Sequence, residues 1–312
     1  MFECNARTQF DSRFDSDRIN HSDSGFQSDR IFQSDSMFQS DSILIEGRYR
    51  SFQFKKRVKL KAGASLLFLM HGSGGTGLGM AKTTGKLQAI ADRENLLIVY
   101  PDGYQHYWNE CRRYSTAIAN KEDVNEQVFF NAMITYFDSL YKIDRKNVFA
   151  AGMSGGGHMA YKLGLTMPGT IHAIAAIIAN LPDSASSDCT PANKPIPVMI
   201  INGTMDETNP YNGGEMFVSN SSFGVVRSTE KSFEYWSSLA GYTGSPVKTL
   251  LPDTDPKDKK RIESYTFKSK QKPEITLLKV IGGKHDYPND IDVFLYIWDF
   301  FKRSRSAITN GQ

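Results

Sequence analysis

The chain has 312 residues, 40% of them hydrophobic, and its 37 basic and 34 acidic side chains leave a net charge of +3. That is enough apolar material for the core of one large domain, and the near balance of charge lacks the clustered basic surface that grips a nucleic-acid backbone, so no nucleic-acid partner is expected. No uninterrupted apolar run of about 18 residues occurs, which argues against a membrane span, and the polar start MFECNARTQF lacks the apolar stretch of a secretory signal.

Residues 14–43 carry a six-residue repeat in register: FDSDRI, NHSDSG, FQSDRI, FQSDSM and FQSDSI. One aromatic per unit among Ser, Asp and Gln buries too little apolar surface to offset chain ordering, so residues 1–43 are expected to be a disordered tail, with a stacked β-solenoid as the structured rival. A single domain is expected over 44–304, followed by a short tail over 305–312.

From about Ile43 strand-like and helix-like runs alternate, the pattern of an α/β sheet. RSFQFKKRVKL reads as a charged edge strand or hairpin. SLLFLM (65–70), LLIVYP (96–101), NVFAAGM (147–153) and IPVMIING (196–203) are short apolar runs typical of buried parallel strands. Amphipathic helices are predicted near 83–93, 122–142 and 155–166. IHAIAAIIA (171–179) is ambiguous by periodicity, and its length and β-branched content favour a strand. A helix near 228–240, β runs at 261–268 and 274–281, and a closing helix from Asp290 to Arg303 complete the series.

Gly152-Met153-Ser154-Gly155-Gly156 is a G-x-S-x-G sequence placed between the strand NVFAA and the helix-compatible GGHMAYKLGL. That context is a nucleophile elbow, a tight strand-to-helix turn that lifts a serine hydroxyl above the sheet edge. The bland reading is a glycine-rich helix start capped by a serine. A serine needs a base, and the base needs a group to fix its tautomer. The chain order for this architecture is Ser, acid, His. Of the histidines at 21, 71, 106, 158, 172 and 285, His285 alone leaves room for an acid-bearing strand before it. Asp206, three residues beyond IPVMIING, is the preferred acid, because α/β ligand sites gather at the carboxyl ends of strands. Asp183 and Asp188 in the polar loop LPDSASSDC are rivals, with Glu207 a lesser candidate.

The run LMHGSGGTG after 65–70 can supply main-chain N–H groups, making Ser73 and Gly155 the oxyanion pair and His71 a loop brace. The same run also fits a dinucleotide fingerprint, with Gly72, Gly74 and Gly77 as its glycines and Asp102 as a ribose-binding acid, so a nicotinamide or flavin oxidoreductase is the alternative from another class. A non-catalytic binding protein on the same fold is a further alternative. Tyr104, Trp108, Asn109 and Tyr211 sit on loops bordering the expected active face and are candidate substrate contacts, with plain loop packing as the competing reading for Trp108 and Tyr211. Cys4, Cys111 and Cys189 have no metal-ligand spacing. Cys111 and Cys189 can pair only with each other inside the domain, and the residues leave that open, since pairing needs close Cα atoms.

These motifs together resemble the polyhydroxybutyrate depolymerase-like esterases, related to feruloyl and acetylxylan esterases. The resemblance spans most of 46–303 and rests on GRYRSF, LMHGSGG, VYPDG followed by WNEC, AAGMSGGGHMAYKL, IINGTMDETNPYNGG, GGKHDYP and IWDFF. It implies an α/β-hydrolase fold with a mostly parallel central sheet flanked by helices. It also implies an ester hydrolase using Ser154, Asp206 and His285, a small or oligomeric ester as substrate, and no metal or organic cofactor. Such enzymes are often exported, so it implies a secreted or periplasmic protein, whereas the residues themselves leave localisation open. The histidine loop reads GGKHDYP where these enzymes often have a sequence such as HTWP.

Overall fold

The computed structural model describes residues 37–56, 59–218 and 221–305. Five buried apolar strands form its centre: β3 (Ser65–Met70), β4 (Leu96–Pro101), β5 (Val148–Met153), β6 (Ala173–Ile177) and β7 (Val198–Gly203). They lie in the spatial order β4-β3-β5-β6-β7, all mutually parallel. β12 (Ile275–Ile281) joins β7 in parallel on one side. Beyond it β11 (Arg261–Phe267) and β10 (Val247–Leu250) continue antiparallel. On the other side β2 (Arg48–Lys55) pairs antiparallel with β4, and β1 (Phe38–Ile45) pairs antiparallel with β2. Among the described residues the result is a ten-stranded, mostly parallel sheet.

The sheet is apolar on both faces because each central strand sends alternate residues to opposite sides. Leu66, Phe68, Val148, Ala150, Ile174 and Ile200 face α4 (Glu126–Tyr141), α5 (Gly155–Thr166) and α6 (Thr229–Leu239). Leu67, Leu69, Phe149, Ala151, Ala175 and Ile201 face α1 (Gly77–Thr83), α2 (Gly85–Ala91) and α7 (Val293–Arg303). α7 contributes Phe294, Ile297, Trp298, Phe300 and Phe301 to that layer, with Phe149 and Phe301 stacked at 4.9 Å. A short α3 (Ile118–Lys121) and the hairpin of β8 (Gly214–Val218) and β9 (Ser221–Val226) lie outside the main layers. The hairpin packs Met216, Phe223 and Val226 against Ala117.

Three expectations need correction. The last repeat unit, FQSDSI at 38–43, is not tail. It is most of β1, where Gln39, Asp41 and Ile43 pair with Phe54, Phe52 and Arg50, and alternation places Ile43 against the core while exposing Ser42 and Leu44. The preceding units and residues 306–312 lie outside the described residues. RSFQFKKRVKL therefore supplies the second strand, not the edge. The helix expected over 83–93 is two helices, since Thr84 ends α1 and starts α2, its hydroxyl bonded to the Ala81 carbonyl and the Tyr100 hydroxyl. Among the described residues no helix is long and apolar enough to cross a membrane.

The segment after β4 is fastened at many points. Cys111 and Cys189 form a disulfide with Cα atoms 5.0 Å apart, closing a separation of 78 residues. Next to it the buried Arg112 guanidinium donates to Glu110 at 2.6 Å, while Arg113 N–H bonds the Ser186 carbonyl. Glu126 at the start of α4 takes Arg50 on one oxygen at 2.9 Å and the Asn109 N–H on the other at 3.1 Å. Replacing both cysteines by serine is expected to cost about 4.5 kcal/mol, the loop-closure value for a separation of this size. Urea unfolding checks it, and a loss under about 1 kcal/mol would contradict the assignment.

Candidate active site

Ser154 ends the strand-to-helix turn between β5 and α5 at φ 50° and ψ −119°, a region that non-glycine residues enter only when their surroundings impose it. Two things impose it. The Ser154 N–H is bonded to the Ile177 carbonyl of β6 at 2.9 Å, and the flanking glycines let backbone pass against backbone. A Cβ on Gly152 would lie 2.3 Å from the Gly156 carbonyl oxygen, and one on Gly156 would lie 2.4 Å from that of Met70. The G-x-S-x-G spacing is thus a packing requirement.

The hydroxyl meets its expected partners. His285 Nε2 is 3.0 Å from Ser154 Oγ, and His285 Nδ1 is 2.7 Å from Asp206 Oδ2. Because Nδ1 faces a carboxylate, the proton of the neutral ring sits there, leaving the Nε2 lone pair towards the serine. Asp206 is buried, and its other oxygen accepts the N–H groups of Thr208 at 2.9 Å and Asn209 at 2.7 Å. The acid therefore sits in a closed turn at the carboxyl end of β7. Of its rivals, Asp183 caps a short 3-10 turn through Ala185 N–H, and Glu207 is exposed.

The loop after β3 brings Ser73 against the start of α5. A Cβ on Gly155 would fall 3.0 Å from Ser73 N, and one on Gly72 would fall 3.5 Å from Ser154 Cβ. Gly155 opens α5, so its N–H has no acceptor one turn back within the helix. Ser73 thus lies against Gly155, and Gly72 against Ser154. His71 braces this loop. Its Nδ1 donates to the Gly72 carbonyl at 2.7 Å and its Nε2 accepts the Gly103 N–H at 2.9 Å. Burial lowers its pKa, and protonation of Nε2 would set two donors face to face, so the ring stays neutral.

The loop-contact candidates divide. Trp108 is 2% exposed, its indole N–H bonded to the His71 carbonyl at 2.9 Å and its ring 4.9 Å from that of His71. Asn109 is buried with bonds to Asp123 and Val124, and Tyr211 is buried beneath Lys279. All three side chains are buried, and Trp108 and Asn109 spend their polar atoms on neighbouring loops. Tyr104 is half-buried and lines an open cavity of about 550 Å³ with Tyr49, Leu78 and His106. Asp102, the acid of the dinucleotide reading, spends one oxygen on Gly77 N–H at 2.6 Å and the other on the Ser51 hydroxyl at 2.8 Å. Both of its oxygens thus brace the loops around them.

Sequence reasoning passed over His158, one turn into α5 from Ser154, and three buried asparagines, Asn180, Asn202 and Asn209. Burial, then the nearby charge of Arg112 and the proximity of His285, hold the His158 pKa well below that of a free imidazole. Tyr287, in the loop GGKHDYP, donates to Met153 Sδ at 2.7 Å and packs on Phe294, tying the histidine loop to the elbow.

Residues 57–235 match the family described as phospholipase/carboxylesterase, more than half of the 312-residue chain. The chain belongs to this family. It is 28% identical over 174 residues to NocK of Nocardia uniformis subsp. tsuyamanensis, a protein named as an esterase, a match covering 55% of this chain and 49% of NocK. It is 26% identical over 155 residues to feruloyl esterase B of Piromyces equi, covering 49% of this chain and 28% of that protein. The chain thus spans about half or less of the length of these curated relatives. The acetyl xylan esterase structure from Aspergillus awamori superposes with a TM-score of 0.59 at 13% identity, over 85% of this chain and 99% of that one. The shared architecture is the α/β-hydrolase fold.

Gly156→Ala is expected to cost more than about 2 kcal/mol, since its methyl would overlap the Met70 and His71 carbonyl oxygens at 2.4 and 2.6 Å. A thermal melt unchanged from wild type would show that the elbow is looser than described.

Proposed function

We propose that the chain is a serine esterase, with residues 38–304 as the catalytic domain, that hydrolyses carboxylic esters through an acyl-enzyme. The observation carrying this reading is the unbroken hydrogen-bonded line from Ser154 Oγ through both nitrogens of His285 to buried Asp206. Ser154 attacks the ester carbonyl as His285 Nε2 takes its proton. Asp206 stabilises the resulting imidazolium, and the N–H groups of Ser73 and Gly155 receive the developing oxyanion. The imidazolium returns the proton to the departing alcohol, and a water activated by the same nitrogen then releases the acid. These steps use side chains and main-chain N–H groups already in place.

Membership of a phospholipase/carboxylesterase family supports an ester as the substrate, and relatives named for feruloyl esters favour an aromatic acyl group. Acetylated sugars, simple short-chain esters and hydroxyalkanoate oligomers are the competing substrates for the same chemistry. The test is a panel of p-nitrophenyl esters from acetate to octanoate, with methyl ferulate, given to wild type, Ser154→Ala and Asp206→Asn. Ser154→Ala should lose on the order of 10³-fold or more in kcat, and Asp206→Asn about 10⁴-fold, because the amide favours the wrong imidazole tautomer. Undiminished turnover in Ser154→Ala would overturn the assignment.

A further inference from the structure

Asn180, Asn202, Asn209 and Thr229 are each no more than 1% exposed, and they meet at the carboxyl ends of β6 and β7. Buried amides are costly unless bonded, and here nearly every polar atom is used. Asn202 grips both sides of Ala179, accepting its N–H at 3.0 Å and donating to its carbonyl at 3.0 Å. The Asn180 side-chain oxygen accepts from Asn202 at 2.8 Å and from the Thr229 hydroxyl at 3.0 Å, while its amide nitrogen donates to the Pro210 carbonyl at 3.2 Å. Asn209 Oδ1 accepts the Asn180 N–H at 3.2 Å, and Asn209 N–H donates to Asp206 Oδ1 at 2.7 Å. The Asn209 amide nitrogen makes no bond, so its side chain acts through the oxygen alone.

The segment gripped in this way is the one that holds the nucleophile. Ile177 accepts the Ser154 N–H, and the next residue, Ile178, is β-branched yet sits at φ 47°, a conformation such residues adopt only under constraint. A line of hydrogen bonds thus runs from Ser154 through Ile177 and the turn at Ile178 to Ala179, Asn180, Asn209 and Asp206. It joins nucleophile to acid by a route that does not pass through His285.

We propose that Asn180, Asn202 and Asn209 form a positioning ladder that fixes the turn of Asp206 against the nucleophile strand, with Asn209 acting on catalysis through Asp206. This rests on the ester-hydrolase reading of the triad. A catalytic group displaced by about 1 Å costs on the order of 10²-fold in rate, and the acid's turn follows a buried strand but is itself a loop, so lateral support decides where the carboxylate lies. Asn209→Ala removes the acceptor for Asn180 N–H and leaves the backbone bond to Asp206 without lateral support.

The test is a double-mutant cycle on p-nitrophenyl butyrate hydrolysis with Asn209→Ala and Asp206→Asn, separately and together, with Leu87→Ala in distant α2 as a stability control. Asn209→Ala should lower kcat about 10- to 100-fold with KM within about two-fold, and should add almost nothing in the Asp206→Asn background. Leu87→Ala should lower the melting temperature while leaving kcat unchanged. Asn209→Ser, which keeps a short acceptor, should recover part of the loss, and it decides the matter if the alanine variant does not fold. Equal kcat in wild type and Asn209 variants, or the same loss with and without Asp206, would overturn the ladder. An inert wild type would instead overturn the ester-hydrolase reading beneath it.

Discussion

The close approach of backbone to backbone at the elbow governs the rest of the molecule. Gly152 and Gly156 let α5 start directly against the end of β3, with no room for a methyl group at either position. That contact fixes three things together. It holds Ser154 at φ 50°, it starts the first turn of α5 at that serine, and it brings the loop carrying Ser73 against Gly155. Strain of this kind costs on the order of 1–3 kcal/mol per residue. It is sustained by the two apolar layers that clamp the sheet, where alternate residues of β3, β5 and β6 bury themselves against helices on both sides.

The partners of Ser154 in the proposed triad arrive from elements far apart in sequence yet adjacent in the sheet. β7 and β12 are parallel neighbours, so the loops at their carboxyl ends, carrying Asp206 and His285, emerge side by side. Thr204 N–H bonds the Val280 carbonyl and Met205 N–H bonds that of Gly283, so the two loops also share backbone bonds. Parallel order therefore converts a separation of 79 residues into one hydrogen bond. His71 braces the loop carrying Ser73 at the same edge.

Much of this was legible in the sequence for a simple reason. Buried parallel strands are continuous apolar runs, so 65–70 and 96–101 could be bounded directly, and the start of α5 is announced by its glycines. The three positions proposed for the triad follow from chain order and from strand ends. Less legible were features set by partners distant in sequence. FQSDSI reads as one more polar repeat and becomes a strand only because β2 offers an unpaired edge. Trp108 on a loop reads equally as a substrate contact or as loop packing until the His71 carbonyl is seen to accept its N–H. The asparagines have no spacing signal, since Asn180, Asn202 and Asn209 meet only after β6 and β7 are paired.

Activation of Ser154 Oγ by His285 in this one geometry can be read from intact-protein mass after reaction with diethyl p-nitrophenyl phosphate, followed by peptide mapping. A single diethylphosphoryl group is expected on the peptide containing Ser154, formed rapidly in wild type and almost absent in His285→Ala. Labelling at another residue, or labelling of Ser154 at the same rate without His285, would contradict it.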